Sequence, residues 1–214
     1  LDIAWAFRSL RQMAVGLQQL HSISVAHQDL KPSNVLLFAG RTSAKLADLG
    51  RAAVEGQKPP HYEYPVAGDY SYAPPELLYA AVPGSWEAKR MGCDAYLLGS
   101  MVSSFFTTLA MTPLIMMGLD PRFHWTRWVG TYEDVLPYIR VAFSDALVYV
   151  AGEFPADYKT ELAEVLQQLC EPDPALRGHP QDRSMRSGNP FSLERYISKF
   201  DLLAHKAEIR LLRR

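Results

Sequence analysis

No two of the 13 glycines are separated by a single residue, so the chain holds no G-x-G turn of the kind that wraps backbone N–H groups around phosphates. Cysteine is scarce. Cys93 and Cys170 stand far apart with no metal-type or redox-type spacing, which excludes a disulfide scaffold and fits small buried thiols in a reduced, cytoplasmic setting. Neither sign of charge is in excess: 22 basic and 23 acidic residues leave a formal net charge of −1, which gives no reason to expect nucleic acid as a partner. Internal repeats, low-complexity tracts and a cleavable apolar leader are also missing. What remains is 214 residues, 48% of them hydrophobic, enough for one sizeable domain with a real core.

Charge is absent locally in one place. Residues 96–119 carry none, a run long enough to cross a bilayer. Ser100, Ser103, Ser104, Thr107 and Thr108 lie within it and Thr112-Pro113 and Gly118 interrupt it, so no membrane span is expected.

Periodicity organises the rest. Ile3, Phe7, Leu10, Ala14 and Leu17 predict a helix over 2–22 with one buried face. Because the chain starts at Leu1 and opens directly on this helix, it reads as the latter part of a longer protein. Short strands are expected at 35–38 and 44–47 around Ala39-Gly40-Arg41-Thr42-Ser43, a hairpin that returns Asp48 towards Asn34. Residues 51–72 form a long Pro-, Gly- and Tyr-rich loop. From Pro74 the chain reads as helical, broken near Pro83-Gly84, Pro113, Pro121, Pro155 and Pro172 to Pro174. A polar loop over 178–191 precedes a last amphipathic helix. Ser192 caps that helix, Leu193, Tyr196, Ile197, Phe200, Leu203 and Ala207 line one face, and Arg210, Arg213 and Arg214 lie at its basic end. This tail packs on the domain or docks a partner.

The chemistry concentrates in His27-Gln28-Asp29-Leu30-Lys31-Pro32-Ser33-Asn34 and, one hairpin later, Asp48-Leu49-Gly50. Each residue has a plain reading too: Asp29 as a turn-capping carboxylate, Asn34 as a turn residue, Asp48 as a strand end, Lys31 as a solvated charge. Three further pieces bear on the choice: Ala73-Pro74-Pro75-Glu76, Asp94 with Tyr96, Leu98 and Gly99, and Asp173-Pro174-x-x-Arg177. Together these motifs resemble the C-terminal lobe of a eukaryotic-type protein kinase, Ser/Thr-like and without arginine before the catalytic aspartate.

The resemblance implies a mostly α fold, a kinase-like C-lobe with a short β-hairpin beside the catalytic loop and the N-lobe absent. Residues 1–178 would form the lobe, with the catalytic loop at 27–34 and the activation segment at 48–76, and 179–214 the polar loop and final helix. It implies ATP and Mg2+ as cofactors and a protein as substrate. Asp29 would be the base and Lys31 a charge neutraliser, Asn34 and Asp48 would be metal ligands, and Leu36 would form the floor under adenine. Residues 96–119 become a buried central helix followed by a loop. The Asp94 carboxylate would hold the backbone at His27 and Gln28, and Glu76 would pair with Arg177. Val35, Leu36 and Leu37, with Met101 and Phe105, are expected in the core. His27 is expected to stack on Leu49, the other histidines to serve as packing or surface residues, and Trp125 and Trp128 to pack.

Three departures matter. There is no Gly-rich loop and no strand lysine, so the upstream sequence would have to supply an N-lobe, and these residues alone would turn over little. Gln28 cannot read a phosphate as an arginine fork would, so Tyr62, Tyr64, Tyr70, Ser71 and Tyr72 are not expected to act as switches through this loop. Asp69 follows Gly68 where a threonine is usual; it would pair with Lys31 but repel Asp29. The alternatives are a pseudokinase or scaffold and, with less support, a small-molecule phosphotransferase.

Overall fold

The computed structural model describes residues 2–38, 40, 43–58, 60–185 and 188–212. Of the expected turn and basic tail, Ala39, Arg41, Thr42, Arg213 and Arg214 lie outside the described residues.

Helix α1 (Ile3–His21) starts where the Asp2 side chain accepts from Trp5 N–H at 3.0 Å. Its Phe7, Leu10, Met13, Ala14 and Leu17 are buried, as their spacing predicts. Strand β1 (Val25–Ala26) follows, then β2 (Val35–Phe38) and β3 (Ser43–Leu46), which pair antiparallel with Val35 opposite Leu46. Strand β4 (Ala53–Val54) pairs antiparallel with β1 and so ties the start of the 51–72 segment to the stretch before His27. β2 departs from expectation. Val35 packs on the core, but Leu36 and Leu37, which point to opposite faces of the strand, are 48% and 45% exposed because the two-stranded ribbon leaves both faces partly uncovered.

After α2 (Pro75–Leu78), a π-helical turn over Glu87–Met91 leads into α3 (Gly92–Thr107). Every residue from Gly92 to Ser103 is buried, so α3 is the central rod of the fold. Thr108 takes a left-handed φ of 66°, and the chain bends by 80° into α4 (Met111–Gly118). The expected loop is therefore a second helix. Pro113 does not break it because it lies in the first turn, where a backbone N–H would have no intrahelical acceptor.

Helix α5 (Tyr132–Glu153) opens with a capping box between Thr131 and Asp134 and packs Val135, Ile139, Ala142, Phe143 and Val150 into the core. Among the described residues it is the single helix long and apolar enough to cross a membrane; its core-facing side lies against α4 and α6 (Lys159–Leu169), and 33% of the apolar stretch is buried. The polar loop contains a short helix, α7 (Pro180–Ser184). Last, α8 (Glu194–Leu212) lays Tyr196, Phe200, Leu203, Ala204 and Ala207 along α1. A 2.8 Å Arg11–Asp201 ion pair and an Arg8–Glu208 pair border that seam. The tail is thus part of the same core.

Candidate functional site

The loop between β1 and β2 is built on a buried carboxylate. Asp94, fully enclosed near the start of α3, accepts from His27 N–H at 2.7 Å and Gln28 N–H at 2.8 Å, and its Oδ2 lies 2.9 Å from His21 Nε2. These bonds hold Gln28 at a left-handed φ of 70°, a conformation that costs a non-glycine residue free energy and so needs this support. The His27 ring spans the same turn, with Nδ1 3.3 Å from Asp29 N and Nε2 3.0 Å from Ala47 O. Leu49, expected to stack on that ring, is 54% exposed in the turn after Asp48. His21, expected to be a packing or surface residue, is a buried polar partner of Asp94.

Asp29 comes out of this turn buried and held at both oxygens. Asn34 Nδ2 donates to Oδ2 at 3.0 Å, and the Asp69 N–H donates to Oδ1 at 3.0 Å. Lys31 Nζ stands 3.3 Å from Asp29 Oδ2 and 3.4 Å from Asp69 Oδ2. The pairing of Lys31 with Asp69 is as anticipated, and one ammonium and one backbone N–H lie between the two acids, where they offset the repulsion expected between them. Burial would lower the Lys31 pKa, but the two carboxylates outweigh it and the net shift is upward. For Asp69 burial acts upward, and the Ser71 backbone N–H together with Lys31 reverses it to a net downward shift.

Gly68 is the site residue the sequence analysis overlooked. A Cβ there would lie 2.7 Å from Asp29 Oδ1 and closer still to the Gln28 carbonyl oxygen, so only glycine lets the 51–72 segment reach the loop. Gly68→Ala is expected to leave the fold intact and to slow turnover of the full-length protein by about a hundredfold, the usual result of a 1 Å displacement beside reacting groups. A steady-state assay beside a circular dichroism spectrum checks this.

Asp48 stands apart. It is exposed, at a left-handed φ of 59°, and its Oδ1 accepts from Gly50 N–H at 3.2 Å. The hairpin does bring it alongside Asn34, with Ala47 N–H donating to Asn34 O at 2.9 Å, but no hydrogen bond joins its carboxylate to Asn34 or Asp29. Among the described residues no three His, Cys, Asp or Glu side chains gather at metal-binding spacing. This donor set fits magnesium rather than a protein cage. Mg2+ uses one or two protein oxygens and takes the rest from water and phosphate, and Asp48 and the Asn34 carbonyl oxygen (its amide nitrogen being spent on Asp29) are of that kind. Leu36 lies on the exposed strand above, and Leu37 lines an apolar cavity of about 210 Å³ with Trp5, Met13, Pro32 and Phe105.

On the far side, Arg177 closes the site's support. Its guanidinium meets both oxygens of Glu76 at 2.7 Å, fully buried, and also donates to Glu171 O at 2.9 Å. Burial pulls the Arg177 pKa down, yet the Glu76 carboxylate more than compensates and the net shift is up.

This arrangement agrees with the family comparison. A family model for the protein kinase domain matches residues 5–182.

The chain belongs to the protein kinase family.

Similar protein kinases include serine/threonine-protein kinase PTK2/STK2 of Saccharomyces cerevisiae, 26% identical over 186 residues that cover 78% of this chain and 22% of that protein. Serine/threonine-protein kinase PTK2 of Candida glabrata is 25% identical over 202 residues, covering 82% and 24%. Rhodopsin kinase GRK7 of Homo sapiens is 36% identical over 101 residues, covering 45% and 17%. The chain therefore spans about a quarter of the length of the first two relatives.

Proposed function

We propose that the full-length protein is a Ser/Thr-type protein kinase, moving the γ-phosphoryl group of Mg-ATP to a protein hydroxyl. The observation that carries this reading is the Asp29 carboxylate, fixed by Asn34 and the Asp69 N–H with the Lys31 ammonium at 3.3 Å. A hydroxyl docked there would hydrogen-bond to Asp29, which orients the oxygen and accepts its proton as it attacks. Lys31, held charged by two carboxylates, offsets the negative charge that builds on the transferred group. Its place two residues after Asp29 supports a serine or threonine acceptor rather than tyrosine. Asn34 and Asp48 would hold the magnesium, which supplies charge neutralisation and alignment of the phosphates.

The exposed strip Leu36, Leu37 and Phe38 calls for a cover, which this reading assigns to the adenine ring and an N-lobe from upstream sequence. Residues 1–178 form the C-lobe in this reading, and 179–214 close it through α8. The two buried, unpaired thiols support a cytoplasmic location.

Phosphate transfer from labelled ATP to a protein acceptor, measured on the full-length protein, tests the reading. Asp48→Ala should weaken magnesium-dependent ATP binding by at least the ~10–100-fold that loss of an outer-shell metal partner costs. Binding without transfer in the wild type would leave the pseudokinase scaffold standing instead.

A further inference from the structure

Helix α5 is apolar on more than the side it packs. From Val135 to Gly152 its charged residues are Arg140 and Asp145 alone, yet 33% of its apolar stretch is buried. On the side away from the core, Tyr138, Val141, Ser144, Asp145, Val148 and Tyr149 are exposed. They recur at helical spacing and so form one continuous stripe. Val141 and Val148 are 64% and 73% exposed. Arg140 is drawn off this stripe, its guanidinium bonded to Glu171 at 3.3 Å and Asp173 at 3.0 Å. Tyr138 is held in place by a ring stack on Phe123 at 3.8 Å.

An apolar stripe on an ordered helix calls for a cover, and the order of its residues says which. From either end it runs tyrosine, valine, polar centre, valine, tyrosine. A surface that fits itself about a two-fold axis needs that symmetry, because residue i meets residue j of the other copy while j meets i. With the axis between Ser144 and Asp145 and the helices antiparallel, Val141 faces Val148 of the second copy, and this contact occurs twice. Each Tyr138 then lies beside a Tyr149, and each Ser144 hydroxyl donates to the other copy's Asp145 carboxylate. A lipid surface is the poorer match, since Asp145 would lose its water there without gaining a donor.

We infer that α5 is a self-association surface, through which two copies of this protein pair antiparallel about Ser144 and Asp145. A helix of 22 residues is about 33 Å long. A strip about 10 Å wide on each copy stays below the ~1,200 Å² at which stable interfaces begin, so the dimer forms only as concentration rises. The surface lies outside the Asp29 site and does not depend on phosphoryl transfer.

Sedimentation velocity of the full-length protein at rising concentration is the test. Wild type should pass from monomer to dimer. Val141→Lys or Val148→Asp should each weaken association by about a hundredfold, because each places two unpaired charges in the contact. Both positions are exposed, so the melting temperature should be unchanged. Combining the two substitutions in one chain sets lysine against aspartate twice and should restore the dimer. Ser144→Cys should add a disulfide-linked dimer under mild oxidation that the wild type, with Cys93 and Cys170 buried, does not form. A wild type that stays monomeric throughout, or association that neither single substitution weakens, overturns the proposal. Loss in both single variants without recovery in the double variant also overturns it. A monomer that instead floats with phosphatidylcholine–phosphatidylserine vesicles gives α5 to a membrane and does the same.

Discussion

Asp29→Asn in the full-length protein is expected to lower kcat by about two to four orders of magnitude, the usual size of a lost general base. The substitution keeps shape and volume, so the loop should keep its Asp94 anchor at His27 and Gln28. What changes is the inventory of acceptors. Both Asp29 oxygens receive an N–H, from Asn34 and from Asp69, and an amide offers only one oxygen. One donor therefore faces the new NH2 group, and Lys31 keeps Asp69 as its only close carboxylate. Substrate binding, which depends on surfaces beyond this residue, should be little altered, so the loss falls on kcat rather than on KM. Single-turnover measurements with saturating ATP separate the two. A variant retaining a tenth or more of the wild-type rate would show that Asp29 does not take the proton.

The parts of this site that could be read from sequence are those held by local chain geometry. The Asp29–Asn34 spacing spans one loop, and the β2–β3 hairpin needs only alternation and a turn, so Asp29, Lys31 and Asn34 are found together as their spacing implied. Asp48 was placed correctly along the chain but its carboxylate direction was not legible, because a left-handed turn residue can aim its side chain into its own backbone. Two buried polar contacts escaped for a different reason. His21, which bonds to Asp94, and Arg90, which donates to Gln28 Oε1, lie in polar-rich or aperiodic surroundings, where burial is decided by which distant element lands on them. Two-residue strands such as β1 and β4 are too short to show a period, and their pairing is a consequence of the loop around them. Pro113 misled because a proline is a break or a first-turn residue according to where the helix begins, and a left-handed Thr108 fixes that start.

Glu76→Gln should destabilise the 214-residue chain by about 3–5 kcal/mol, the cost of stranding one member of a buried ion pair. The Glu76–Arg177 fork is doubly bonded at 2.7 Å and dry on both sides, unlike the solvent-facing Arg122–Asp120 pair, whose attraction water and salt screen. Loss of the Glu76 charge leaves a guanidinium over the Tyr96 ring at 5.1 Å, with the carbonyl oxygens of Glu171 and Gly92 as partners but no anion. Against a typical total stability of about 5–15 kcal/mol, that loss brings many domains close to unfolding. In a domain of this size it corresponds to a melting temperature lower by about 6–20 °C. Arg177→Met alone should cost a similar amount, since it strands the carboxylate. Combining Glu76→Gln with Arg177→Met removes both ends of the interaction, so the double variant should recover part of the loss and show strong coupling in a urea-unfolding cycle. Additive losses would mean that the two residues contribute through their separate packing, and that the pair does not fasten α2 to the turn after α6.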